Sequence, residues 1–325
     1  YTYVINNILN YNKDIKDHYI DLTLVATRDF SYRKFVDTNG SDFAANGNTL
    51  LCVNGLHKAT VQRVNLDVVE KSNIGYLGRL SYTYKDRYHL TASYRRDGSS
   101  VFGTEKKWGN FPSAGVAWTI SEENFMSNTG PLDYLKVKAS YGQNGNQGVG
   151  PYETLARVAS GSDGGIRYQF GDAPSSILYG VAQTDLGNPN LGWETTTSFN
   201  GGFQSSFFDA RVFLELDFYL SKTFDQIFVR QIPIMTGFNS IISSLGEVEN
   251  KGFEISLRTT NITNENFEWT SGLMFWQNRN KLTKLYGDDL DGDGQEDDDL
   301  ANGLFIGKPL FAIYGYEYDG VVQES

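Results

Sequence analysis

Long apolar runs, cysteine and positive charge are all scarce in this chain. No apolar stretch approaches the ~20 residues that a membrane helix needs, which excludes a helical membrane protein. A β-barrel is not excluded, because its strands show only half their residues to lipid. Cys52 is the only cysteine among 325 residues, so an internal disulfide and a thiolate metal cage are both ruled out. Cys52 itself is read as structurally neutral. The formal net charge of −11, with a pI near 4.8, excludes nucleic acid as a partner, since phosphate binding needs a basic surface. The histidines, His18, His57 and His89, are scattered and have no carboxylate or Cys at metal-ligand spacing. No nucleophile elbow opens a Ser–His–Asp reading. Nothing points to an enzyme.

What is present is glycine and aromatic residues, with 34 Gly, 20 Tyr and 21 Phe. This composition favours strands and turns. Period-two alternation recurs along the chain. Tyr76, Leu80, Tyr82 and Tyr84 oppose Arg79, Ser81 and Thr83, and Tyr88, Leu90, Ala92 and Tyr94 oppose His89, Thr91, Ser93 and Arg95. The same holds for Ala114–Ile120, Leu135–Tyr141, Val212–Leu220, Phe253–Leu257 and Phe267–Phe275, and more weakly for Tyr19–Arg28.

The connections alternate in length. Lys85–Tyr88, Ser206–Asp209 and Thr259–Asn266 are short, and Ser121–Tyr134 is intermediate. Asp97–Pro112, Gln143–Gly192, Ser221–Asn250 and the acidic stretch after Asn278 are long. An up-and-down meander with this alternation puts every long loop on one side, as in outer-membrane barrels with short periplasmic turns and longer extracellular loops. The expected fold is therefore all-β, a transmembrane up-and-down antiparallel barrel. The rival from this composition is a calcium-stabilised, β-rich surface binding or adhesion module.

Several segments resemble the C-terminal part of SusC/RagA-type TonB-dependent outer-membrane transporters of Bacteroidetes. They are "YLGRLSYTYKDRYHLTASYRRDGSSVFG" (76–103), "WGNFPSAGVAWTISEENFM" (108–126), "LDYLKVKASYGQNGNQ" (132–147), "NPNLGWETTTSFNGGFQSSFFDARVFLELDFYLSKTFD" (188–225), "GEVENKGFEISL" (246–257) and "IGKPLFAIYGYEYDGVVQ" (306–323). The resemblance implies a barrel of roughly 22 strands with a plugged lumen, of which residues 1–325 are a partial barrel domain. The plug, the N-terminal region and the last strands are expected to lie outside it, and two unpaired sheet edges are expected to keep it from closing alone. It further implies import of a bulky nutrient, a glycan or a peptide. The implied partners are a SusD-like surface lipoprotein acting as a lid, TonB acting through the N-terminal region, and outer-membrane lipid.

One local motif carries specific chemistry. In "GDDLDGDGQEDDDLANG" (287–303) Asp289, Asp291 and Asp293 followed by Gly294 match the start of a calcium loop. Gln295 can offer a carbonyl and Asp297 a further carboxylate. The twelfth position is Leu300 rather than Glu, so an EF-hand is incomplete, with Asp298 or Asp299 as substitutes. A Ca2+ site and a solvated acidic loop tip both fit. The glycine-rich Tyr141–Pro151 reads as a turn leaving a strand top, since it lacks nucleotide-loop spacing. The charges of "RRDG" (95–98) and "EKK" (105–107) fit either a glycan or lipopolysaccharide contact or solvated loop charge. Trp108, Phe111, Tyr168 and Phe170 fit sugar stacking, loop packing or a membrane-interface girdle.

Overall fold

The computed structural model describes residues 1–43, 55–126, 130–160, 167–169, 177–289 and 291–315. Cys52, Phe170 and the YDG segment at 318–320 lie outside the described residues. Ten strands form one antiparallel meander: β1 (Thr2–Ile15), β2 (His18–Ser41), β3 (Val61–Tyr84), β4 (Tyr88–Ser99), β5 (Trp108–Thr119) and β6 (Leu132–Asn146). The connection after β6 holds two small ribbons, β7 (Arg157–Ser160) with β10 (Val181–Asp185) and β8 (Arg167–Gln169) with β9 (Ile177–Tyr179). The sheet then resumes with β11 (Glu194–Phe207), β12 (Val212–Gln231), β13 (Ser240–Thr263) and β14 (Glu268–Lys284). It does not close on itself, and β1 and β14 are its edges.

The alternation sorts residues onto two faces, as the pleat demands. Register carries one face across the sheet: Tyr11, Leu22, Leu80, Ala92, Ala114, Tyr141, Phe199 and Leu220 are successive cross-strand partners. On the other face Lys138 pairs with Glu215 and Asp217, each at 2.9 Å, and Gln204 donates to Glu215 at 2.7 Å. The apolar face is the one that suits lipid, and the charged face suits a lumen.

The short turns gather at one end. Lys85 and Asp86 between β3 and β4 both take positive φ, 52° and 54°, the backbone sense that matches strand twist in a tight hairpin. Beside these turns an aromatic ladder runs along the apolar face. His18 stacks on Tyr84 at 4.8 Å, Tyr84 on Tyr88 at 6.3 Å and Tyr88 on Trp118 at 6.3 Å. Glu123, in the connection between β5 and β6, fixes its edge by accepting from Tyr88 Oη at 2.5 Å, Trp118 Nε1 at 3.2 Å and Arg87 at 3.1 Å. Aromatic belts of this kind mark a membrane interface.

The strands reach further than alternation suggests. The Asp97–Pro112 and Ser221–Asn250 connections shorten to 100–107 and 232–239, because the ladder continues beyond the lipid-facing stretch. In β12 a register shift between Thr223 and Gln226, with Asp225 at φ 55°, is a bulge that breaks the periodicity while the pairing goes on. β1 escapes alternation for another reason. Val4 and Ile8 lie on one face and Ile5 and Leu9 on the other, so its sequence shows no period of two.

Candidate functional site

At the long-loop end the connections fold back over the wall. Phe102, Val101, Val149 and Leu191 form a buried cluster flanked by Trp193, Ile227 and Ile242. It joins the 100–107 loop, the segment after β6, the approach to β11 and the tops of β12 and β13. A second cluster, Val248, Leu282, Leu285 and Leu304, with Phe228, Tyr286 and Ile306 against it, ties the segment after β14 to the same strand tops. These clusters make a packed crown on one end of the sheet.

Below the crown, the inward face carries a polar cleft of about 580 Å³ lined by Asp29, Asn73, Arg95, Asp97, Asn144 and Gln147, with Phe111 and Trp193 beside them. Asn73 is its node. Its amide donates to Asp29 at 2.7 Å, and its carbonyl oxygen accepts from Ser99 at 2.6 Å and from Gln147 at 3.1 Å. One side chain of β3 thus connects β2, β4 and the segment leaving β6. Arg95 donates to Asp97 at 2.6 Å. Gly145 explains part of the glycine-rich motif, since a Cβ there would lie 2.0 Å from the Phe111 ring. Phe111 is buried and meets Trp193 edge-on at 5.4 Å, while Trp193 Nε1 donates to the Lys107 carbonyl at 3.1 Å. Cleft polarity with two aromatic walls can hydrogen-bond and stack a polar solute.

Of the four aromatics singled out in the sequence, Trp108 packs on the outward face, with the Arg96 guanidinium 5.0 Å from its ring. Phe111 faces inward, and Tyr168 is exposed in β8. The histidines form local contacts. His18 Nδ1 pairs with Tyr82 Oη at 2.7 Å, and His89 bridges Thr83 and Thr119 at 3.2 and 3.1 Å.

The acidic stretch follows β14 at the crown. Asp289, Asp291 and Asp293 are exposed, and one carboxylate oxygen from each lies within 4.8 Å of the others. Gly292 and Gly294 take positive φ, 76° and 82°, and donate their N–H groups to Asp289 at 2.8 and 3.1 Å. That curls the chain so that alternate carboxylates converge. Asp297 stands outside this triad, and its backbone N–H donates to the Asp288 carbonyl at 2.8 Å. Gln295 turns its amide N–H toward Asp293 at 3.2 Å. Asp298 and Asp299 staple the loop: Asp298 accepts from Ile306 N–H at 2.6 Å, and Asp299 accepts from Tyr286 at 3.1 Å and from Asn302 at 2.7 Å. Burial and the neighbouring Asp299 push the Tyr286 phenol well above its ordinary pKa. Arg230 ion-pairs with Asp288 and holds the loop to β12. The Asn73 node and the Arg230–Asp288 pair carried no sequence motif, because their partners are far apart in the chain.

A meander with an apolar outer face, a polar inner face, an aromatic belt at its short turns and a crown of loops is the wall of an outer-membrane β-barrel. The chain belongs to the family of TonB dependent receptor-like β-barrels, whose model matches residues 1–318. It is 36% identical over 324 residues to TonB-dependent receptor P3 of Formosa agariphila, covering 98% of this chain and 31% of that protein. It is 32% identical over 249 residues to TonB-dependent receptor SusC of Bacteroides thetaiotaomicron, covering 76% of this chain and 24% of SusC. The fold matches that of the RagAB peptide transporter with a TM-score of 0.75 and 24% identity, over 88% of this chain and 30% of that one. The chain therefore spans about a third or less of the length of the relatives it matches. These relatives are receptors and transporters rather than enzymes, and the sequence resemblance to SusC and RagA holds.

Proposed function

We propose that this wall serves import of a bulky nutrient, a glycan or a peptide, across the outer membrane, as the barrel of a SusCD-type complex energised by TonB. The observation that carries the reading is the crown packed over a polar, aromatic-lined inner cleft, a setting that suits solute binding at the entrance to a lumen. The likeness to SusC and to the RagAB peptide transporter supports it. In this reading the 100–107 and 232–239 segments and the described residues of 147–193 and of the acidic loop face the outside. Solute arriving beneath a SusD-like lipoprotein lid meets Asp29, Asn73, Arg95, Asn144 and Gln147 on the wall before release to the periplasm. Arg95 and Asp97 present both signs of charge, and Asn73 and Gln147 present amides, so the cleft suits a neutral polar or zwitterionic solute better than a strongly charged one. The adhesion-module reading has no use for an outward face lined with lipid-compatible side chains.

The test is uptake by cells carrying the full-length receptor. Labelled oligosaccharide or oligopeptide is expected to accumulate only with TonB active and the lipoprotein partner present. Uptake of either solute class that persists with TonB disabled would overturn the energised-import reading. Substitution of Asn73 by Leu is expected to lower uptake several-fold with the barrel still inserted.

We also propose that the Asp289, Asp291 and Asp293 triad takes Ca2+, a hard cation that oxygen ligands suit and that would relieve repulsion among the convergent carboxylates. Chelation is then expected to lower the melting temperature of the full-length protein, and Asp291→Ala is expected to abolish that response. An unchanged melting curve on chelation would reject the site.

A further inference from the structure

The outward face of β1–β4 is hollow where a barrel wall is ordinarily even. Leu9, Leu24, Tyr76 and Tyr94 border a groove of about 840 Å³, with Gly78 among its lining residues and Arg96 at one end. Gly78 makes the hollow, since a Cβ there would meet only Leu24, at 3.6 Å. The borders are held in place. Tyr94 Oη donates to Asn110 at 2.8 Å. Trp108 lies against Gly98, where a Cβ would come within 2.9 Å of its ring, and the Arg96 guanidinium rests 5.0 Å from that ring.

The height of Arg96 matters. It stands eight residues along β4 from Tyr88, which belongs to the aromatic ladder at the short-turn end. At about 3.3 Å per residue and a tilt of about 40°, that is roughly 20 Å above the ladder. An outer-membrane apolar band is about 25 Å tall, so Arg96 sits at the extracellular edge of the lipid. Arg28 stands ten residues along β2 from His18, roughly 25 Å above the same ladder by the same arithmetic. Register puts Arg28 on the same face, opposite Ile74, whose β4 partner is Gly98. The two arginines are two strand spacings apart, about 10 Å. Both are exposed, and neither pairs with a carboxylate among the described residues.

An apolar groove that opens to lipid, with Arg96 at one end and Arg28 beyond it on the same face, fits one kind of molecule. We propose that it seats an acyl chain of a phosphate-bearing lipid of the outer leaflet, with the lipid phosphate bound by Arg96 and Arg28. The groove supplies burial for the chain, and the planar guanidinium groups supply charge-assisted hydrogen bonds to phosphate oxygens. The Trp108 face limits the motion of Arg96, so less freedom is lost on binding.

The test uses the full-length receptor in mild detergent, offered lipid A, dephosphorylated lipid A or inorganic phosphate, with retained molecules counted by native mass spectrometry. Lipid A is expected to be retained, the dephosphorylated form about tenfold less, and phosphate alone not at all at the same concentration. Arg96→Gln is expected to lower lipid A retention about tenfold and to leave retention of the dephosphorylated form unchanged. Gly78→Leu, which fills the groove, is expected to lower both. Heat-modifiability on a gel shows that each variant is folded, and Arg96→Gln alone decides the phosphate contact where the leucine variant fails to insert. Equal retention of lipid A by the wild type and Arg96→Gln would overturn the proposal. So would equal retention of the two lipid forms, or phosphate binding as strong as lipid binding.

Discussion

The wall and the crown handle apolar side chains in opposite ways. Phe102 in the crown is 2% exposed, whereas Phe218 in the wall is 55% exposed. Leu191 in the crown is fully covered, whereas Leu273 in β14 is 62% exposed. The wall has lipid as its solvent, so its aromatics need no protein partner. The crown stands in water and must make its own core. One sheet therefore carries two folding problems, and among the described residues its buried hydrophobic side chains lie at the crown end.

Removing core from the crown has the largest expected effect. Phe102→Ala leaves a cavity among Val101, Leu191 and Trp193, at a cost of about 3–5 kcal/mol. The loss should appear as faster hydrogen exchange in the 100–107 and 186–193 segments, with the barrel still heat-modifiable. If the wall melts together with the crown, the two are one cooperative unit and the contrast fails. Charging the wall ranks next. Phe218 stands six residues into β12 from its short turn, near the middle of the apolar band. Phe218→Arg is expected to destabilise the protein in vesicles by about 2–4 kcal/mol, read from refolding equilibria, while Phe218→Leu stays near the wild type. A neutral result for arginine would mean that this face does not meet lipid.

The smallest expected effect belongs to the short-turn end, where water and lipid meet. The Tyr88 hydroxyl, helped by Trp118 and Arg87, holds the Glu123 carboxyl below its ordinary pKa against the opposing effect of desolvation. A depressed carboxylate pKa adds stability above the unfolded value, near 4.3, which is lost as pH falls through the folded value. Thermal midpoints should therefore fall slightly more steeply below about pH 4 in the wild type than in Glu123→Gln, with no difference in slope near neutrality. Parallel curves would show that the belt does not depend on this carboxylate.

Much of the wall was legible in the sequence. Tyr88–Tyr94, Ala114–Ile120 and Val212–Leu220 announce their faces by alternation, and the sides of the turns follow from connection length. β1 was not legible, because its apolar residues fall on both faces. The upper parts of β12 and β13 were not either, because the bulge at Asp225 shifts the period while the ladder continues. Of the acidic stretch, Asp289, Asp291 and Asp293 converge as their spacing suggests. Asp297 and Asp299 are engaged elsewhere, since backbone turns set which carboxylates meet.

By itself the sequence determined what repeats locally: a period of two, turns at one end, loops at the other, and the motifs of a TonB-dependent receptor barrel. Only the tertiary structure decided which distant residues meet. It alone joined Asp29, Asn73, Ser99 and Gln147 in one network, buried Leu191 against Phe102, and left a hollow at Gly78 that ends at Arg96. The reason is physical. The face a residue takes is set by its parity along its own strand, whereas its neighbours are set by register between strands, which depends on pairing across the whole sheet.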